Sequence, residues 1–175
     1  MEPLKPPADE RESMNVRPYT AADADGLWEL KRGFELGIGN DTGGEEKGPK
    51  YESKLTDDYR EKWLAWVDDC VAENDHCVTV AVDDDGEVAG YVFVLPASLA
   101  FVWDAAVLNE LFVVPDHRGT GVADDLMEAA LALAREMDLP LDRMVLDVDR
   151  ENDRAQAFYD RYDFEHWGEM VAREL

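Results

Sequence analysis

Between a run of β-type residues and a long apolar-striped stretch lies PDHRGTGVADD, Pro115 to Asp125, in which Gly119 and Gly121 leave the backbone bare. A strand, a short glycine turn and a helix start together present several N–H groups with no intrahelical partner at the positive end of a helix dipole. Glycines there let the main chain approach a ligand with no Cβ in the way. The chemistry that suits such a turn is the holding of a phosphate or pyrophosphate. Two nucleotide motifs fail when tested against it. The phosphate loop of nucleotide hydrolases needs Gly-Lys-Ser/Thr, which does not occur, and the dinucleotide fingerprint needs a third glycine where Asp124 stands. His76, His117 and His166 lack metal-ligand spacing and Cys70 and Cys77 have no second pair, so no metal is expected.

The elements that must position this turn follow from periodicity. A tail over residues 1–13, with Pro3, Pro6 and Pro7 among charges, precedes a short strand in NVRPYT. A helix is expected over about 22–36, with Leu27, Trp28, Leu30, Lys31 and Phe34 at helical spacing. The glycine-rich stretch over 38–56 is too long for an ordinary connection, and a substrate lid and a mobile insertion are equally open. DDYREKWLAWVDDCVAEN is a second helix, with an apolar face of Tyr59, Trp63, Trp66 and Val67. HCVTVAV and EVAGYVFVL flank the turn DDDG as a hairpin. AAVLNELFVV predicts a strand, GVADDLMEAALALAREMD a helix, RMVLDVD a strand, NDRAQAFYDRY a helix and EHWGEMVARE a last strand.

Composition narrows the setting. Acidic side chains number 41 against 17 basic, for a net charge of −24, and only six of the cations are lysine. Self-repulsion on that scale opposes a compact state at low ionic strength, whereas at about 1 M salt the screening length of about 3 Å mutes it. The balance resembles that of proteins from salt-accumulating halophiles. A hydrophobic share of 46% and five tryptophans point to a packed core rather than disorder. No basic stripe invites nucleic acid or an anionic membrane, no apolar run approaches the roughly 18 residues of a span, and no secretory leader is evident. A soluble cytoplasmic protein with reduced, buried cysteines is expected.

Arg118, Gly121 and Ala123 spell Arg-x-x-Gly-x-Ala behind the strand ELFVVP, and this resembles the acetyl-CoA motif of the GNAT superfamily of N-acetyltransferases. The likeness extends from about Val16 to Leu175: Asn152, Ala155, Phe158 and Tyr159 match the family's Asn-x-x-Ala-x-x-Phe-Tyr, with Asp163 in place of the usual exit glycine. Aspartate tolerates a left-handed backbone better than most residues, so this departure costs stability rather than identity. The resemblance implies one acetyltransferase domain over 14–175 in the α/β class. Its central sheet would be mixed and mostly antiparallel, with helices around it and two neighbouring parallel strands, ending at Val114 and Val148, splayed apart. It further implies that the main chain of Leu111, Phe112 and Val113 pairs with the pantetheine arm of acetyl-CoA. Arg118, Gly119, Thr120, Gly121, Val122 and Ala123 would cradle the pyrophosphate, and Asn152 and Phe158 would complete the cofactor site.

For such a reaction an amine must shed a proton before attacking a thioester, and the departing thiolate is better expelled when protonated. Glu110, on the strand before the pantetheine-pairing residues, is the candidate base, and Tyr159, a phenol of ordinary pKa near 10, is the candidate acid. The thioester oxygen would be polarised by an N–H around Phe112 or Val113. Glu110 as a solvated strand residue and Tyr159 as a packing residue stay open, as do an ammonium site and a solvated face for Asp147 and Asp149. The acceptor is a primary amine whose pocket would come from the first helices and the loop around Lys47 to Tyr51; Trp28, Phe34 and Trp103 are core residues or pocket lining. Homodimerisation is open. The alternative is a non-catalytic acyl-CoA-binding module, and a plain diphosphate-binding protein is a more distant third.

Overall fold

A computed structural model describes residues 14–41 and 47–175. The expected tail over 1–13 lies outside them. Strand β1 (Asn15–Pro18) leads through a short 3-10 turn into helix α1 (Ala24–Asp41); α2 (Lys47–Ser53) and α3 (Asp57–Glu73) follow. Then come β2 (Val78–Val82), β3 (Val88–Val94), β4 (Ala106–Val113), α4 (Val122–Glu136), β5 (Met144–Val145) and α5 (Asp153–Asp160). Of the stretch read as a lid or mobile loop, residues 38–41 end α1 and 47–53 form α2, while 42–46 lie outside the described residues.

The sheet order is β1-β2-β3-β4-β5, antiparallel as far as β4 and parallel between β4 and β5. Alternating side chains send Val78, Val80, Val82, Tyr91 and Phe93 to one face, where Leu27, Trp28 and Leu30 of α1 and Trp63, Val67 and Cys70 of α3 cover them. Ala81, Val92, Val94, Leu108 and Val113 reach the other face, under Leu126, Met127, Ala130 and Leu133 of α4. Trp28 is therefore core, whereas Trp103 stands on the surface. Cys70 and Cys77 are buried free thiols, pushed up to about 11 and about 12 chiefly by burial, which leaves them poor nucleophiles.

Two sequence expectations fail at the C-terminal end. The strand expected over 143–149 is two residues long, and the last expected strand, over 165–174, does not form. Both have one cause. β5 pairs with β4 only at Ala106↔Met144 and Val107↔Val145 before the strands diverge, so no ladder continues for a further strand to join. The terminal segment is held instead by side chains, with the Arg143 guanidinium 4.0 Å from the Trp167 ring and Arg150 2.8 Å from Glu169.

Candidate functional site

The divergence of β4 from β5 leaves one edge of β4 without a strand neighbour among the described residues. Which main-chain groups face that edge follows from the ladder to β3. Val114 N–H donates to the Ala89 carbonyl at 2.9 Å, and Tyr91 lies opposite Phe112 in register. Antiparallel pairs alternate, so the N–H and C=O of Phe112 turn toward β3, while those of Leu111 and Val113 turn outward. The Val113 carbonyl confirms the phase, since it accepts from Arg118 Nε at 3.0 Å. The main chain of Phe112, expected to pair with the pantetheine arm beside Leu111 and Val113, therefore faces β3 instead, and its ring lies 5.5 Å from the Arg118 guanidinium.

That edge runs into the glycine turn. After a 3-10 turn at Pro115–His117, Gly119 has φ +77 and Gly121 has φ +95, conformations that a side chain would strain. Gly121 is the N-cap of α4 and brings no side-chain acceptor, so the N–H groups of Val122 and Ala123 open outward from the first turn. Two side chains brace the loop: Arg118 on Val113, and the Thr120 hydroxyl, which donates to the His117 carbonyl. Asp124, where a dinucleotide fold would have glycine, accepts from the Tyr162 hydroxyl and from Arg161, the latter at 3.1 Å. Both donors lie just past the end of α5.

Asn152 caps α5, its Oδ1 accepting from Ala155 N–H at 3.1 Å. The helix closes on Asp163 with φ +64, where the resemblance led us to expect a left-handed residue. Phe164 N–H bonds to the Tyr159 carbonyl at 3.2 Å and Asp163 N–H to the Asp160 carbonyl at 3.1 Å, while the Tyr159 and Phe164 rings meet edge to face at 5.7 Å. These are the paired bonds and apolar contact of a Schellman ending. Tyr159 and Phe158 pack, partly buried, against the α4-side core, and burial pushes the Tyr159 phenol up to about 12. At neutral pH it carries its proton.

Glu110 approaches from the opposite face of the sheet. A register shift between Phe93 and Val94 places Glu110 opposite Phe93 but Leu108 opposite Val94, so Asn109 is the extra residue of a bulge. Beyond it the carboxylate of Glu110 turns toward α1, with the residue only 4% exposed. Its Oε1 receives the Lys31 ammonium and its Oε2 the Tyr91 hydroxyl, the latter at 3.2 Å. Lys31 also binds Glu35, and Lys54 reaches Glu35 Oε2 at 2.9 Å. The solvated-strand reading of Glu110 is therefore wrong. Burial drives its pKa up, the Lys31 ammonium opposes that rise, and Glu35 adds to it. The sequence carried a signal for this cluster that periodicity alone did not interpret: Lys31 and Glu35 fall on the apolar stripe of α1.

The family model for the Acetyltransferase (GNAT) family matches residues 43–164. The chain belongs to the GNAT acetyltransferase family. A relative from Pseudomonas phage PaMx11, a 5-NmdU N-acetyltransferase, is 28% identical over 123 residues, 70% of this chain and 80% of the phage protein. A Bacillus subtilis (strain 168) protein named for N-acetyltransfer to the alanine of ribosomal protein bS18 is 27% identical over 96 residues. That match spans 55% of this chain and 59% of the Bacillus protein. Among solved structures, the PaiA N-acetyltransferase of Thermoplasma acidophilum in complex with coenzyme A superposes with a TM-score of 0.64. It is 18% identical over 86% of this chain and 88% of that one, a likeness of fold. The GNAT fold accounts for the parallel pairing of β4 with β5 and its early divergence.

Proposed function

We propose that this GNAT-family chain is an acetyl-CoA-dependent N-acetyltransferase that moves the acetyl group to a primary amine by direct attack on the thioester. The observation that carries the reading is continuity: the edge of β4 at Leu111 and Val113, which no strand among the described residues covers, leads through the turn at Pro115–His117 to the glycine-capped start of α4. An extended pantetheine arm would pair with that edge as a further strand does, and its pyrophosphate would meet the N–H groups from Arg118 to Ala123. The complex of the Thermoplasma protein with coenzyme A supports the same cofactor here. Asn152 and Phe158 would border the arm from α5.

Acetyl-CoA supplies an activated acyl carbon. Glu110 takes the proton that the acceptor ammonium must lose, and the amine nitrogen then forms a bond to that carbon as the carbon–sulfur bond breaks. Tyr159, protonated at neutral pH, gives its proton to the departing sulfur, and the second proton that the attacking nitrogen sheds to become a neutral amide restores the phenol. Val113 N–H, facing the edge, polarises the thioester oxygen. A net charge of −24 further suits a protein that works at high salt, where screening at about 3 Å lets a polyanionic cofactor approach.

The test is thiol release from acetyl-CoA across a panel of primary amines in molar KCl, with calorimetric CoA binding beside it. Gly121→Asn keeps a residue tolerant of positive φ but places a side chain against the pyrophosphate, and should weaken CoA binding at least tenfold, about 1.4 kcal/mol. Unchanged affinity puts the cofactor elsewhere. Tyr159→Phe and Glu110→Gln should each lower kcat by roughly 10²–10⁴. A second reading, an acyl-CoA-binding module without turnover, draws on the closed environment of Glu110, whose two oxygens are both engaged. It predicts CoA binding with no thiol release for any amine.

A further inference from the structure

The buried charges on the α1 face of the sheet do more than fill a core. Lys31 is 3% exposed and Glu35 3%, and the Lys31 ammonium lies between Glu35 and Glu110, 5.2 Å from the Trp63 ring and 5.4 Å from the Phe34 ring. Two carboxylates converge there with one interior cation. Lys54, the second cation of the cluster, is partly exposed and touches only Glu35 of the two. The titratable groups around Glu110 are thus Lys31 and Glu35 from α1, Tyr91 from β3, Lys54 behind Glu35, and Tyr59 of α3 near Tyr91.

We propose that Lys31 is a positioning residue for acyl transfer: its ammonium, bridging Glu35 and Glu110, keeps Glu110 an ionised carboxylate and holds its Oε1, so that an incoming amine meets a base rather than a neutral acid. The inference rests on Glu110 acting as the base. Two buried carboxylates sharing a site do not both ionise without a counter-charge, and burial by itself favours the neutral acid. Lys31 opposes both effects from a fixed position and limits the rise that burial imposes on Glu110. Burial would push the ammonium toward its neutral form, but the pull of Glu110 and Glu35 prevails and its pKa rises. Tyr91 contributes the remaining hold, its hydroxyl donating to Glu110 Oε2. Trp63 and Phe34, whose ring faces attract a cation, exclude water from the other sides of Lys31.

The charge relation predicts opposite effects from two substitutions on one helix. Lys31→Met removes the cation and should move the acid limb of the kcat/KM profile to higher pH by about one unit or more, with a loss of activity on the acid side that recovers as pH rises. Glu35→Gln removes the like charge and should move the same limb to lower pH. Lys31→Arg keeps the charge and should leave the limb near its wild-type place. A residue that merely packs would not shift the limb in opposite directions for these two changes.

Infrared spectroscopy of the free protein reads the same state without any acceptor. At neutral pH, Lys31→Met should show a protonated-carboxyl C=O band that disappears when Glu110→Gln is added. If Lys31→Met does not fold, Lys31→Met with Glu35→Gln takes the second carboxylate out of the cluster and, with burial alone acting on Glu110, should still show the band. A folded variant lacking Lys31 with no such band and an unmoved acid limb overturns the proposal. Glu110→Gln separates this failure from that of the parent reading. If that variant retains the wild-type rate and profile, Glu110 is not the base and the role of Lys31 in catalysis falls with it. If it loses both while Lys31→Met leaves the limb in place, the base stands and only the role of Lys31 is wrong.

Discussion

Arg118 Nε donates to the main-chain carbonyl of Val113 at 3.0 Å, so the side chain that opens the glycine turn grips the end of the strand that precedes it. The bond fixes the turn relative to the open edge of β4, and the guanidinium also lies over the Phe112 ring. Arg118 is thereby a brace as well as a positive charge. Arg118→Lys keeps the charge but lacks the planar fork, and we expect it to weaken CoA binding by about tenfold, as Arg118→Met should. Calorimetry on both variants checks this. Full affinity in the lysine variant alone would mean that charge, not bracing, is what the cofactor uses.

Gly33 of α1 lies against the ring of Phe112, where an added Cβ would stand 2.9 Å from Cζ and 3.0 Å from Cε1. Alanine is otherwise the better helix former by about 1 kcal/mol. Overpacking should outweigh that gain and leave Gly33→Ala less stable by about 1–2 kcal/mol, measured by urea unfolding. Adding Phe112→Leu should return part of the loss. A stabilised Gly33→Ala protein would show that α1 and β4 are not packed as described.

The φ of +64 at Asp163 costs an L-residue energy that glycine does not pay. Asp163→Gly should stabilise the fold by about 0.5–1 kcal/mol, read as a higher Tm, with Tyr159 left in place because the helix-ending bonds are made by the main chain. A fall in Tm would indicate that the carboxylate itself is the stabilising group.

Asp23 accepts from both terminal nitrogens of Arg17, at 2.7 and 2.9 Å, and from Thr20 N–H at 2.9 Å. The bonds from Arg17, against the opposing effect of burial, hold its pKa below the usual carboxylate value. A depressed folded-state pKa contributes stability that is complete above the unfolded value of about 3.9 and is lost as pH falls through the folded one. Denaturant titrations from about pH 6 to pH 2 should therefore show a smaller acid loss in Asp23→Asn than in the wild type, with the variant less stable by about 1.5–3 kcal/mol at neutral pH. Parallel acid profiles would remove Asp23 from the acid response.

What could be read from the sequence is what neighbouring residues impose on one another. The glycine turn before α4, the Asn152 cap and the left-handed ending at Asp163 depend on backbone sterics and on bonds spanning a few residues, so residue type and spacing expose them. The apolar stripes of α1, α3 and α4 likewise follow from a helical repeat, and with the motif they pointed to the GNAT fold. The C-terminal strand was misread because a strand is completed by its neighbour, and β5 leaves β4 after two residue pairs. The charge cluster was only half legible, as Lys31 and Glu35 on an apolar stripe, for a related reason. Lys31 and Glu110 stand 79 positions apart, and only the packing of α1 on β4 brings them into contact. Periodicity places Glu110 on a face but does not say what covers that face, and the protonation of a carboxylate is set by the water it has lost and the charges it has gained. Those are properties of the assembled interior, decided when helix and sheet meet.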